Sequence, residues 1–182
     1  GRIQGWCDSP LTDLGVSQAK QLGKEIKNVN FDVCFCSTSE RAIDTANSIL
    51  EGRNVKVIPS KNLKEQSFGD FEAEKSVDIF KDGVRFPDGY RFCGGENHSD
   101  VIERVTNELK KIAFEYPNAN VLVVCHGSAI KHIVNALCPG FVDEKPNTAA
   151  LVPNCSVTRM DCDTELKLIE KPHLFHGQQT LK

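Results

Sequence analysis

Apolar positions along this chain switch between two periods. Apolar-rich stretches at residues 31–36 and 55–58 and the continuous apolar run at 121–124 read as short strands, and the valine-rich Val121-Leu122-Val123-Val124 run reads as fully buried. Between these runs the apolar residues recur at helical spacing. Pro10-Leu11-Thr12-Asp13 opens a helix with Thr12 as its N-cap, and Ala19, Leu22, Gly23 and Ile26 follow along it. Ser37-Thr38-Ser39 punctuates the first strand, and Ala42, Ile43, Ala46, Ile49 and Leu50 then mark one face of a second helix. Residues 99–116 form a long amphipathic pattern with Val101, Ile102, Val105, Leu109, Ile112 and Ala113 inward, and a further helix runs from the end of the 121–124 strand to about Leu137. Residues 63–98 lack regularity, because Gly69, Gly83, Pro87, Gly89, Gly94 and Gly95 interrupt any long pattern. Two closing strands are expected at 155–160 and 166–169. Strand–helix alternation predicts an α/β chain, a three-layer α/β/α arrangement around a mostly parallel central sheet covered on both faces. No internal repeat, low-complexity segment or linker divides it, so residues 1–182 read as one domain.

Composition narrows the function classes. At 182 residues and a net charge of −3, the chain does not suggest a nucleic-acid binder or a polybasic membrane-surface protein. No apolar run approaches the length that spans a bilayer. The segment Gly1-Arg2-Ile3-Gln4-Gly5-Trp6 has neither signal-peptide architecture nor an initiator methionine. The eight cysteines show no C-x-x-C pair and no zinc-type spacing, so they read as reduced thiols in a cytoplasmic protein. Cys34, Cys36, Cys125 and Cys155 lie in or beside apolar runs, where a free thiol behaves as a small hydrophobe.

Three constellations carry candidate chemistry. The 121–124 run delivers Cys125 and then His126 to a strand end, followed by Gly127-Ser128 and a helix. In open α/β sheets ligands collect at the carboxyl ends of strands, so this imidazole is placed for chemistry; the plainer alternative is a capping or packing histidine. Cys36-Ser37-Thr38-Ser39-Glu40-Arg41 repeats the arrangement with an arginine in the first helical turn, where it opposes the helix dipole. A guanidinium there suits bidentate phosphate or carboxylate binding, or else is a surface charge paired with Glu40 or Asp44. In Leu63-Lys64-Glu65-Gln66-Ser67-Phe68-Gly69-Asp70-Phe71-Glu72, Glu65 suits a general acid if desolvated, and Asp70, Glu72 and Glu74 compete for that role.

Taken together, these segments resemble the phosphoglycerate mutase-like branch of the histidine phosphatase superfamily. Gly1 to Thr12 resembles G-R-x-Q-G-W-x-D-x-P-L-T, and Ser37 to Ala46 resembles S-S-x-x-x-R-A-x-x-T-A. Leu63 to Glu72 resembles L-x-E-x-x-F-G-x-W-E, and Gly94-Gly95-Glu96 resembles G-G-E-S with Asn97 in place of the serine. Val123 to Gly127 resembles the second-histidine motif, and Asn154-Cys155-Ser156-Val157 the late N-x-S-V motif. The resemblance implies a phosphoglycerate mutase-like fold and a phosphoryl transfer through a phosphohistidine, with arginines and the second histidine stabilising the equatorial oxygens and a glutamate protonating the leaving alkoxide. Carried over by motif, Arg41 is a phosphate clamp, His126 the second pocket histidine, and Glu65 the proton donor. Gln4 and Gly5 line the phosphate entry, with Arg2 and Gly127 nearby. No cofactor and no metal are implied; the partner is a small phosphorylated metabolite.

One departure stands out. The family's nucleophilic histidine sits in an R-H-G motif at the end of a strand ahead of the position matching Gly1. His98, His132, His173 and His176 match no catalytic position; His132 is expected to pack or cap, and His173 and His176 to lie in a polar tail. The expectation is that roughly ten to twenty residues, one strand and a loop ending in Arg-His-Gly, precede Gly1; the alternative is a catalytically inactive phosphate-binding or scaffold homologue. The stretch from Phe71 to Gly94 is shorter than in the mutases of the family, which favours a phosphatase over a phosphoglycerate mutase. It carries Lys75, Lys81, Arg85 and Arg91 as candidates for a substrate carboxylate or second phosphate.

Overall fold

The computed structural model describes residues 1–81, 86–143 and 148–175. Thr12 caps the first helix, α1 (Asp13–Glu25), by accepting from the Gly15 N–H at 3.1 Å. Then follow β1 (Val33–Ser37), α2 (Glu40–Ile49) and β2 (Val57–Ser60). The described residues between 61 and 97 hold 3₁₀ turns and a short helix, α3 (Ser76–Ile79). After them come α4 (His98–Glu115), β3 (Val121–Val124), α5 (Gly127–Leu137), the short α6 (Thr148–Leu151), β4 (Val157–Cys162) and β5 (Leu166–His173).

The central sheet has the order β2-β1-β3, all parallel, with Cys34 opposite Val57 on one side and Leu122 on the other. Strand alternation sends β1 side chains to both faces. Cys34 and Cys36 pack with Ala19 and Leu22 of α1 and Ala42, Ala46 and Ile49 of α2. Val33 and Phe35 pack with Val101, Val105 and Ile112 of α4 and Ala129 and Ile133 of α5. The expected three layers result, because a parallel strand between two helix layers must be apolar on both faces. Gly23 sets the α1–α2 approach: a Cβ there would sit 2.5 Å from the Ile49 carbonyl oxygen.

Two expectations shift. β2 begins at Val57 rather than Val55, since the ladder to β1 starts at the Cys34–Val57 pair. The closing strands pair antiparallel with each other in a sheet of their own, and β5 continues to His173. An antiparallel strand with one wet face needs an apolar residue only at alternate positions, here Leu166 and Leu168. His173 is therefore a strand residue paired with Val157, not part of a polar tail, while His176 lies outside the described residues.

The 61–97 segment is held by aromatic packing in place of regular backbone. Phe68 and Tyr90 meet edge to face at 4.8 Å over Ile3, with Phe71 and Phe86 beside them. Asn97, standing at the serine position of the G-G-E-S-like motif, starts α4: its N–H is accepted by the Asp100 carboxylate at 2.9 Å. All eight cysteines are free, and burial pushes the Cys34 and Cys125 thiols up to about 12. No helix among the described residues is long and apolar enough to cross a membrane.

Candidate active site

The carboxyl ends of β1 and β3 lie side by side and carry the histidine and arginine constellations. From β1 the chain runs through Ser37 and Ser39, both buried, into the first turn of α2 and Arg41. From β3 it runs through Cys125 and His126 into α5, with Gly127 as the first helical residue. Two loops, residues 4–8 and 63–72, close around these ends.

Arg41 binds the first loop and not its helical neighbours Glu40 and Asp44. One guanidinium nitrogen donates to Cys7 O at 3.0 Å and Asp8 Oδ1 at 2.9 Å, the other to Gly5 O at 3.0 Å. The remaining Asp8 oxygen accepts the Glu40 N–H at the start of α2. The anion at that helix N-terminus is the protein's own Asp8. Partial burial works against the Asp8 charge, but the Glu40 N–H and the Arg41 guanidinium hold its carboxyl below the usual range.

The two glutamates of the second loop have opposite environments. Glu72 accepts four backbone N–H groups, from Trp6 (2.8 Å), Phe68 (2.9 Å), Cys7 (3.0 Å) and Gly5 (3.1 Å). Burial disfavours its charge, yet these donors bring its pKa below the ordinary value, so Glu72 stays ionised and organises the loop. Asp70 and Glu74 are exposed. Glu65 is 7% exposed and docks on the α5 N-terminus: Oε1 accepts from Gln66 N at 2.9 Å and Ala129 N at 2.8 Å, Oε2 from Ser128 N at 2.9 Å. Burial outweighs these donors and Lys131, and its pKa is raised. Between these two glutamates it is Glu65 that is held toward the protonated form a general acid requires.

His126 is 8% exposed, and its Nε2 is buried with no hydrogen-bond partner among the described residues. Burial, with the charges of Arg41, Arg104 and Lys64 opposing protonation, brings its pKa down to about 3. An orphaned buried ring nitrogen costs about 1–3 kcal/mol, which a ligand oxygen would recover. Gln4 is exposed, with its amide nitrogen on Ser9 Oγ at 2.6 Å. Gly5 is buried where no Cβ fits: one would lie 2.2 Å from Gln66 O and 2.4 Å from Glu72 Oε1. Arg2 is not drawn in; it is exposed and donates to Ala73 O at 2.7 Å. His132 is packed as expected, stacked on His98 at 4.1 Å and 3.1 Å from Gln66 Oε1.

The sequence motifs leave several participants without a role. Arg104, on α4, forks onto Glu96 at 2.7 and 2.8 Å and holds the carbonyls of Asn62 (3.0 Å), Lys64 (2.8 Å) and Glu65 (2.9 Å). It fixes the backbone that presents Glu65. Trp6 donates its indole N–H to Glu65 O at 3.0 Å, and the Lys64 ammonium stands 4.9 Å from its ring. Arg104 lies on a face that helical periodicity reads as polar, and only its position on three carbonyls of a distant loop reveals its task. A cleft of about 490 Å³ between Phe86, Pro87, Asp88, Gly89, Arg91, Phe92 and Asn97 contains none of the residues that converge on His126. Among the described residues no cluster of His, Cys, Asp or Glu is placed to hold a metal ion.

These buried imidazoles set a pH dependence of stability. His126 and His132 are both brought to about 3 from 6.5, mainly by burial. Below pH 6.5 the unfolded chain binds more protons than the folded one at these sites, so acidification favours unfolding. Each should cost ~1.4 kcal/mol per pH unit as pH falls through that window. Glu65 acts in the opposite sense between its ordinary value of 4.5 and its raised folded value, offsetting part of the loss. Urea melts between about pH 7.5 and about pH 5 read the net effect. Stability that is flat or rising on acidification would contradict the neutral, buried state of both rings.

Residues 1–172 match the model of the histidine phosphatase superfamily (branch 1). The chain is 30% identical over 154 residues to the phosphatase PhoE of Bacillus subtilis, covering 85% of this chain and 77% of that one. It is 31% identical over 144 residues to phosphoserine phosphatase 1 of Hydrogenobacter thermophilus, covering 75% of this chain and 68% of the relative. Among solved structures, a phosphoglycerate mutase from Bacillus anthracis superimposes with a TM-score of 0.80 at 31% identity, over 93% of this chain and 84% of that one. The fold, the strand-end arginine and histidine and these likenesses agree: the chain belongs to branch 1 of the histidine phosphatase superfamily.

Proposed function

We propose that this protein is a cytoplasmic, metal-independent phosphomonoester hydrolase that works through a phosphohistidine on a small phosphorylated metabolite. The observation that carries the reading is the buried, unpartnered Nε2 of His126 set beside the charge of Arg41 at the carboxyl ends of adjacent strands. A phosphoryl oxygen satisfies that nitrogen, and the Arg41 guanidinium meets the charge that spreads over the equatorial oxygens. Glu65 supplies the proton. Its Oε2 accepts one backbone N–H where Oε1 accepts two, so Oε2 is the oxygen with a lone pair free to carry it.

The attacking imidazole is, in this reading, the histidine of the R-H-G motif that the family resemblance implies. The imidazole nitrogen attacks phosphorus as the ester P–O bond breaks, and the leaving oxygen takes the Glu65 proton. Water, giving its proton back to Glu65, then displaces phosphate from the imidazole.

A second reading, phosphoglycerate mutase, is favoured by the likeness to the Bacillus anthracis enzyme. The short stretch between Phe71 and Gly94 and the relatives named as phosphatases favour hydrolysis. Full-length protein should turn over p-nitrophenyl phosphate with EDTA present and form an acid-labile phosphoenzyme. Phosphate exchange between glycerate positions without net release would instead establish the mutase. Absence of both turnover and phosphoenzyme would leave a phosphate-binding scaffold, and inhibition by EDTA reversed by added metal would refute the metal-free chemistry.

A further inference from the structure

Three cationic side chains bear on the His126 ring: Arg41, Arg104 and Lys64. Two of them have carboxylate partners inside the protein. Arg41 pairs with Asp8 at 2.9 Å, and Arg104 pairs with Glu96 at 2.7 Å. Lys64 has no acidic partner among the described residues; its ammonium lies over the face of Trp6, 4.9 Å from the ring centre.

That placement is built and not incidental. Trp6 is 48% exposed, yet its indole N–H is fixed on Glu65 O at 3.0 Å and its backbone N–H on Glu72 at 2.8 Å. Lys64 itself is half-buried, and Arg104 pins its carbonyl at 2.8 Å and that of Glu65 at 2.9 Å. The ammonium therefore keeps a set position relative to the proton donor that follows it in sequence. Such preorganisation lowers the entropy a long flexible side chain loses on binding.

We propose that Lys64, steadied on Trp6, is a specificity-determining residue that takes a carboxylate carried by the substrate close to its phosphoester. The inference rests on the phosphate-pocket reading above and adds to it the class of leaving group. A single ammonium balances one carboxylate charge; a second phosphate dianion would leave excess negative charge beside the buried Glu65. Of the basic residues between Phe71 and Gly94, Arg91 pairs with Asp100 and Lys75 and Lys81 are exposed; Arg85 lies outside the described residues.

The test is calorimetric titration of the full-length protein with inorganic phosphate, 3-phosphoglycerate and glycerol 3-phosphate. The two esters share a three-carbon skeleton and differ in a carboxylate against a hydroxymethyl group. Wild type should bind 3-phosphoglycerate roughly tenfold more tightly than glycerol 3-phosphate. Lys64→Met should bind both alike, and Lys64→Arg, which keeps the charge, should keep a preference. Equal affinities in wild type, or a preference that survives in Lys64→Met, would overturn the assignment. If inorganic phosphate binds while no carboxylate preference exists, Lys64 alone is refuted; if inorganic phosphate does not bind, the pocket reading and this inference fall together.

Discussion

Replacing Arg41 with alanine should lower kcat/KM of the full-length protein by at least ~10²–10³-fold, the scale seen when one preorganised donor to a developing oxyanion is removed (~2.7–4 kcal/mol). The loss should fall mainly on kcat, because a phosphoryl group gains equatorial charge as it transfers. Arg41 also ties loop carbonyls and Asp8 together, so the variant should melt earlier as well. Arg41→Lys separates the two effects. It keeps the charge but loses the fork, so it should recover stability better than turnover. Unchanged turnover in Arg41→Ala, measured on protein shown to be folded, would remove this residue from the site.

Glu65→Gln should slow alkyl phosphates by ~10²–10⁴-fold, the usual contribution of a general acid, and aryl phosphates by far less. Aryl oxygens leave without much help; alkoxides do not. The comparison is internal to one variant, so partial unfolding cannot imitate it. Some destabilisation is expected as well, because an amide nitrogen placed at Oε2 would face the Ser128 N–H and leave two donors opposed. The wild-type rate on alkyl esters should fall as pH rises through the raised pKa of Glu65, and the variant should lose that limb. Equal losses on both ester classes would point to another acid. Glu72 is a poor substitute, since four backbone N–H donors keep it ionised.

The periodic parts of the fold are legible in the sequence. Thr12 and the Ala42–Ala46–Ile49 face each express a constraint that acts over a few residues, a cap and one side of a helix; the 121–124 run is legible as a strand, but of its four residues only Val124 is buried, against the expectation of complete burial. The closing strands are legible as strands but not as a separate antiparallel pair, because pairing depends on which distant segment lies alongside. The motifs likewise locate His126, Arg41 and Glu65 at segment ends, where backbone geometry brings strand termini together.

Glu65 and Glu72 mark the boundary between local and tertiary control. They stand seven positions apart in one irregular loop, and nothing in their local sequence makes one an acid and the other an anchor. Their difference is imposed by remote chain: residues 128 and 129 at the start of α5 receive Glu65 in a buried place, while residues 5–7 wrap Glu72 with N–H groups. Arg104 and Lys64 take their tasks from such contacts too. Residue type and spacing fix a short-range conformational preference and a chemical repertoire, and so the order of helices and strands and the set of groups able to bind phosphate or move a proton. Protonation state, partner and orientation follow from solvation and charge summed over everything within a few ångströms, and most of those neighbours are distant in sequence.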